Sequence, residues 1–223
     1  MKSTFIILSF ISIAMTSVNA QTNRYDWGIE GGPNLSTFRV VNNPFLDAKP
    51  VIFGSGGFIF QYNTKKILSF KTGFSYQRKG VQSQDFIYTN SNGDFIGEGK
   101  SVFSFDYITL PLLVKASFGK KVKFFINAGP YAGFLLAKNE RGIVESKVVF
   151  ENKDLTGLKR WDLGAAGGIG VAIPIKEFWM VHAEVRNYFG LQNINDSGNS
   201  KSYTNTTDLR LGVVYRLGFR DSE

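Results

Sequence analysis

The chain contains 223 residues, 43% of them hydrophobic, so its composition indicates neither a disordered chain nor a helical membrane protein. Glycine and phenylalanine are frequent, with 24 and 21 residues, which favours β-structure over helix. The absence of cysteine excludes disulfides and thiolate chemistry, and a single histidine excludes a multi-histidine metal site. The net charge of +8 would suit an anionic partner, so the positions of the charges must decide what it means.

Residues 1–20 have the pattern of a cleaved export signal. Lys2 precedes an apolar run from Phe5 to Met15, and small residues end the segment at Ala20. An N-terminal anchor is the weaker interpretation, because a membrane span needs roughly 20 apolar residues. We therefore predict a signal peptide over 1–20 and a single domain over 21–223. Export argues against a nucleic-acid partner.

From residue 27 onward, apolar residues recur at every second position, which is the period of a β-strand. The alternation is clearest in 67–78, 161–173 and 209–219, and it is weaker in 27–37, 52–62, 103–117, 122–135 and 179–189. Pro111 lies inside one segment and has no N–H, so we expect a bulge or a local break in pairing there. The sequence thus predicts eight strands.

Short and long connections alternate strictly between these strands. The short ones are 63–66, 118–121 and 174–177, and the long ones are roughly 38–51, 79–101, 136–160 and 190–206. Consecutive antiparallel strands then place every short turn at one end and every long loop at the other, as in outer-membrane barrels. The predicted fold is all-β, an eight-stranded antiparallel up-and-down transmembrane β-barrel.

The apolar face of each strand is expected to point outward into lipid. The opposite face carries small residues and isolated charges, as the crowded interior of an eight-stranded barrel requires. Aromatic residues, Phe103 among them, lie near strand ends, where interfacial girdles form. We predict the outer membrane of a Gram-negative bacterium, with both termini periplasmic. A secreted lipocalin-like binder, with its apolar face inward, is the alternative.

The inward charges are predicted to form one interior network. Its members are Glu30, Asp162, Glu184 and Asp208 with Lys71, Lys115, Arg186, Arg210 and Arg216. Opposite charges placed together offset their desolvation, so the simplest interpretation is that they fill a small barrel. The alternative is a narrow porin-like path for small solutes. Lysines in the short turns form either a solvated rim or a contact with anionic headgroups.

His182 and Glu184 share one face of a strand, and such a pair could orient a general base for a serine nucleophile. Ser69 and Ser75 also face inward, but their spacing fits no such arrangement. The His-x-Ser pattern of a lipid A deacylase is absent, since position 184 is Glu. We therefore expect no enzyme activity, no cofactor and no metal, with a lipid-modifying enzyme as an alternative.

Four segments resemble strands of the PorT-like outer-membrane β-barrel family of Bacteroidota. They are Trp27–Ser36, Phe105–Lys115, Asp162–Gly170 and Arg186–Ile194, in the family's order. Glu30 stands where the family often has Lys, and Thr109 where it often has Glu, which implies a rearranged interior pairing. The resemblance implies location and architecture, and it raises the expectation of a structural or interaction role linked to protein secretion.

The last strand is similar to the C-terminal signal read by the barrel-assembly machinery, through Gly212, Tyr215, Leu217 and the shifted aromatic Phe219. The expected partners are therefore this machinery and outer-membrane lipid. A cell-envelope protein contacted through the loops 79–101 and 136–160 is a further expectation.

Overall fold

The computed structural model describes residues 25–41, 49–64, 67–89, 92, 95–145, 147–176, 178–196 and 201–217. The strands there are β1 (Tyr25–Val41), β2 (Val51–Asn63), β3 (Leu68–Thr89), β4 (Phe95–Phe118), β5 (Lys123–Val144), β6 (Lys147–Asn152), β7 (Trp161–Pro174), β8 (Trp179–Gly190) and β9 (Lys201–Leu217). None of the described residues belongs to a helix long and apolar enough to cross a membrane. The predicted signal peptide and Phe219 lie outside the described residues.

Eight of these strands close into a ring, each antiparallel to both neighbours. The order around the ring is β1-β2-β3-β4-β5-β7-β8-β9, and β9 pairs back with β1 from Tyr25↔Leu217 to Val41↔Lys201. Closure gives both edges of every strand a hydrogen-bonding partner, which the interior of a bilayer demands. The predicted eight-stranded antiparallel barrel is confirmed.

The segments predicted as the loops 79–101 and 136–160 are mostly strand, so this part of the prediction is wrong. β3 and β4 pair almost to the tip of their hairpin, and β6 folds back on the end of β5. Residues 82–89, 95–102 and 140–144 together with β6 form a four-stranded extension that we name the projecting sheet. Apolar residues follow one another along β6, at Val148, Val149 and Phe150, so the period of two that marks the wall of the barrel is absent there.

Two further boundaries differ from, or refine, the sequence prediction. β9 begins at Lys201, several residues before the alternation becomes visible, because its first residues are polar on both faces. Pairing between β3 and β4 is interrupted between Thr72↔Leu112 and Ser75↔Thr109, on either side of Pro111. This interruption is the expected consequence of the missing proline N–H.

The outer wall of the ring is apolar and its interior is polar. Phe70 is 53% exposed on the outside, whereas the next residue, Lys71, is 3% exposed on the inside. On β1 the outward apolar residues run from Tyr25 to Leu35, a stretch that covers about 25 Å at the usual strand tilt. That height matches the hydrocarbon layer of an outer membrane.

Aromatic pairs border this apolar wall at both ends. Trp27 and Trp179 both pack against Tyr215 near the short turns, with ring centroids 6.2 and 5.0 Å away. Phe134 and Trp161 pack together near the loop end, 5.2 Å apart. The prediction that Phe103 belongs to this aromatic border is wrong. This residue packs inward, because it lies on the face of β4 that lines the barrel.

Candidate functional site: the charged interior of the barrel

The centre of the barrel holds a cluster of charged side chains from strands that are far apart in the sequence. Lys71 Nζ lies 2.8 Å from Glu30 Oε2 and 2.8 Å from Glu184 Oε2, and so bridges two carboxylates. Arg186 joins the same two carboxylates, with Nη1 3.0 Å from Glu30 and Nε 2.6 Å from Glu184. Arg210 Nη1 lies 2.7 Å from Glu30 Oε1. Glu30 therefore receives three cations.

Asp208 extends this central cluster toward the loop end. Arg210 Nε donates to Asp208 Oδ2 at 2.8 Å, Gln77 Nε2 donates to Oδ1 at 2.9 Å, and Ser55 Oγ donates to Oδ2 at 3.1 Å. With Asp208 included, three acidic side chains face three basic ones. All six are almost completely buried, and their charges balance. Charged groups out of water require this degree of pairing and hydrogen bonding.

His182 completes the central cluster, although its partner is not the one that the sequence suggests. Both His182 and Glu184 face inward, but His182 Nε2 lies 3.2 Å from Glu30 Oε2. Ligand atoms of Glu30, His182 and Glu184 lie within 4.8 Å of one another, a spacing that a metal ion could use. The Lys71 ammonium already bonds both carboxylates, so the group acts as an ion-pair network.

A second level of charged side chains lies nearer the loop end than the central cluster and is built around Asp162. Lys79 Nζ lies 2.7 Å from Asp162 Oδ2, Thr204 donates to the same oxygen at 2.9 Å, and the Tyr131 hydroxyl donates to Oδ1 at 3.2 Å. The Lys79 ammonium also lies 4.7 Å from the centre of the Tyr131 ring and 5.2 Å from that of Tyr107. Aromatic faces and a carboxylate together stabilise this buried cation.

Lys79 is the functional side chain that the sequence analysis missed. The predicted strand ends at Arg78, which places Lys79 in the predicted loop 79–101. Its position nevertheless has the same parity as Lys71, Ser75 and Gln77, all of which line the interior. Extending the period of two past Arg78 would have placed Lys79 inside the barrel.

The third level lies at the short-turn end and is more open. Lys115 Nζ donates to Gln61 Oε1 at 3.0 Å, and Arg216 Nε lies 3.4 Å from Asp26 Oδ1. The Arg216 side chain is 26% exposed. The nine predicted residues thus do not form one network, and Asp208 belongs to the central cluster through Arg210. Glu30, Lys71, Glu184, Arg186 and Arg210 form the central cluster, Asp162 pairs with Lys79, and Lys115 and Arg216 lie apart.

Apolar side chains close the interior at the loop end. Phe38, Val81 and Phe105 from the wall pack with Ile194, and Leu155 and Leu158 from the segment before β7 pack against them. A cavity of 190 Å³ remains within this group. The barrel is therefore filled by an apolar plug above its charged levels.

The residues predicted as the assembly signal have separate positions on β9. Gly212 faces inward, where a Cβ would collide with the ring of His182. Tyr215 faces outward within the aromatic border, and Leu217 is exposed. Phe219 lies outside the described residues.

A family model described as outer membrane protein beta-barrel domain matches residues 19–196. The chain belongs to this family. It is therefore a β-barrel protein of the Gram-negative outer membrane. No curated protein sequence matches it.

Several solved structures are similar in fold. Neisserial surface protein A is 10% identical, with a TM-score of 0.47, and the match covers 86% of this chain and 97% of that chain. OprG from Pseudomonas aeruginosa is 12% identical, with a TM-score of 0.48 and coverage of 88% and 98%. Outer membrane protein W of E. coli is 14% identical, with a TM-score of 0.41 and coverage of 89% and 100%.

Proposed function

We propose that this outer-membrane barrel has a closed lumen and acts through contacts at its loop end, chiefly through the projecting sheet. The observation that carries the proposal is the central cluster. Lys71, Arg186 and Arg210 are each bonded to a carboxylate from another strand. The acidic residues of the cluster are buried, so their charges do not face an open channel. The interior of an eight-stranded barrel is just wide enough to be filled by side chains. These ion-paired side chains therefore leave no continuous path for water or solutes through the lumen.

Conductance measurements test the closed lumen. The purified barrel, reconstituted into a planar bilayer, is expected to give no more current than the lipid alone. Steady, sizeable conductance would overturn the closed lumen and support the narrow porin-like channel instead. A contaminating porin would give the same signal, so the variant Ser75→Phe, which adds a bulky side chain to the interior, serves as the control. A current that is the same for the variant and the wild type does not come from this barrel.

The proposal also places both termini and the short turns in the periplasm. β1 begins and β9 ends at the same end as the short turns, and short turns are periplasmic in bacterial barrels. The chain has no cysteine, so single cysteines report orientation cleanly. A membrane-impermeant maleimide applied to intact cells is expected to label Val149→Cys and not Lys120→Cys. Labelling of Lys120→Cys alone would reverse the orientation.

For the partner, we propose a cell-envelope protein that contacts the segments 79–101 and 136–160. Support comes from β6, where Val148, Val149 and Phe150 are all exposed at the edge of the projecting sheet. Exposed apolar side chains on a strand edge are a common basis for association. Replacing the three by Thr, Thr and Ser should abolish crosslinks in whole cells, whereas Val122→Thr at the opposite end should retain them. Unchanged crosslinks in the triple variant would exclude β6.

We retain PorT-like membership in Bacteroidota, and with it a link to protein secretion, as part of this proposal. In support, the four motifs fall on β1, β4, β7 and β8, and each contributes one of the interior charges Glu30, Lys115, Asp162 and Arg186. Deletion of the gene should then change the set of secreted proteins, and the wild-type gene should restore it. An unchanged set would limit the proposal to architecture and location.

The proposed role is not catalytic. His182 bonds to Glu30, and among the described residues no serine hydroxyl bonds to His182, so a Ser-His-Glu relay is not assembled there. The remaining partners that we propose are outer-membrane lipid around the apolar wall and the assembly machinery at β9. Tyr215→Ala should slow assembly in cells more than spontaneous folding into detergent micelles. Equal slowing would mean that Tyr215 acts through packing against Trp27 and Trp179 alone.

A further inference from the structure

A cavity of 310 Å³ opens at the short-turn end of the barrel, inside the ring. This volume falls at the lower end of the range of about 300–1,000 Å³ that is usual for small-molecule sites. Polar side chains line most of it, including Gln61, Asn63, Ser69, Lys115 and Arg216. It is separate from the central cluster and from the projecting sheet, so it serves none of the roles described above.

Lys115 distinguishes this cavity from the other charged levels. The residue is 5% exposed, its ammonium donates to the neutral Gln61 Oε1, and it lies 4.1 Å from the centre of the Phe125 ring. No carboxylate forms an ion pair with it among the described residues. The other buried lysines, Lys71 and Lys79, both contact carboxylates. A buried cation with no carboxylate in direct contact is costly, and a bound anion would compensate it.

The other charged residues that line the cavity are also cationic. Arg216 and Lys123 line the cavity with Lys115. Asp26 borders the cavity, where it accepts from Gln61 Nε2 at 3.3 Å and lies 3.4 Å from Arg216 Nε. Three cationic side chains thus line the cavity. The cations come from β4, β5 and β9, so they surround the cavity from different sides.

We propose that this cavity binds an oxyanion of the phosphate class. Lys115 supplies a charge-assisted hydrogen bond, and the Arg216 guanidinium keeps donors that its contact with Asp26 does not use. Donors arriving from several directions suit a tetrahedral anion better than a planar carboxylate. The phosphate comes either from solution, as a free anion, or from the headgroup of a phospholipid in the leaflet at this end.

Equilibrium binding of radiolabelled inorganic phosphate to the barrel, refolded in a non-ionic detergent, tests the site. Saturable binding is expected, and Lys115→Gln should weaken it about tenfold or more, the loss of one charge-assisted bond. Lys115→Arg should retain most of the affinity. Lys121→Gln removes the same charge from an exposed residue of the adjacent turn that does not line the cavity, so it should change the affinity less than about twofold.

Two further measurements keep the test decisive. Short-chain phosphatidylglycerol should compete with phosphate for the cavity. Competition stronger than that of glycerol phosphate identifies a lipid headgroup as the source of the bound phosphate. Weaker competition identifies the free anion as the ligand. Should Lys115→Gln not refold, as judged by heat-modifiable migration in gels, Arg216→Gln takes its place. Absence of saturable binding to the wild-type barrel, or equal loss in Lys121→Gln, would overturn the proposal.

Discussion

Arginine–carboxylate pairs occur both in the central cluster, where they are buried, and on the projecting sheet, where they are exposed to water. In the central cluster, Arg210 contacts Glu30 with both side chains 1% exposed, whereas on the projecting sheet Arg141 lies 3.4 Å from Glu151 with side chains 52% and 38% exposed. The buried charges cannot return to water when a partner is removed, but the exposed ones can. The Arg210–Glu30 pair is therefore required for the stability of the barrel, whereas the Arg141–Glu151 pair contributes little to it.

The largest expected effect is that of Glu30→Gln. It removes the carboxylate shared by Lys71, Arg186 and Arg210 and leaves buried positive charge without compensation. The free energy of unfolding should fall by about 3–5 kcal/mol. Urea titration of the refolded barrel, followed by tryptophan fluorescence, measures this change. A loss below about 1 kcal/mol would show that water reaches the central cluster.

A smaller effect is expected for Lys79→Met at the second level. Asp162 loses its cation but still accepts hydrogen bonds from Tyr131 and Thr204. We expect a loss of about 2–3 kcal/mol in the same titration, because two donors continue to solvate the carboxylate. A loss larger than that of Glu30→Gln would mean that the second level, and not the central cluster, limits the stability of the barrel.

Gly212→Ala tests how tightly the wall packs around the central cluster. The added Cβ would collide with the His182 ring and lie 2.7 Å from the carbonyl oxygen of Ile29. Overpacking of this kind typically costs about 1–3 kcal/mol. Gly54→Ala is the matched control, because its added Cβ would meet nothing within 4 Å. Equal effects of the two substitutions would point to backbone flexibility as the cause.

The smallest effect is expected on the projecting sheet. A hydrogen bond from Asn139 lowers the pKa of Glu151, so its contribution to stability is complete above its ordinary pKa and is lost as the pH falls through the lowered value. Glu151→Gln should leave the urea midpoint unchanged. In the wild type, protonation of Glu151 at low pH should weaken its contacts and so raise the rate of amide hydrogen exchange in β6. This rise should be absent in the variant. Persistence of that rise in the variant would assign it to another carboxyl group.

Much of the wall could be predicted from the sequence, because alternation is strong wherever one face meets lipid and the other meets the interior. Phe70 and Lys71 show this contrast within one strand. The projecting sheet escaped prediction because its strands lack this alternation: Val148, Val149 and Phe150 are consecutive in β6 and all are exposed. The interior positions of Glu30 and Arg210 follow from parity, but their contact does not, since it joins residues 180 positions apart.

The sequence by itself determined the strand period of the barrel wall, the positions of the short turns and the face of the charges within the predicted strands, because these are local consequences of backbone geometry. Tertiary structure alone decided which charges meet. Ring closure brings Lys79 into contact with Asp162, whereas the direct partner of Lys115 is the neutral amide of Gln61. The reason is that register and strand order, which no local pattern encodes, set the distances between side chains across the barrel.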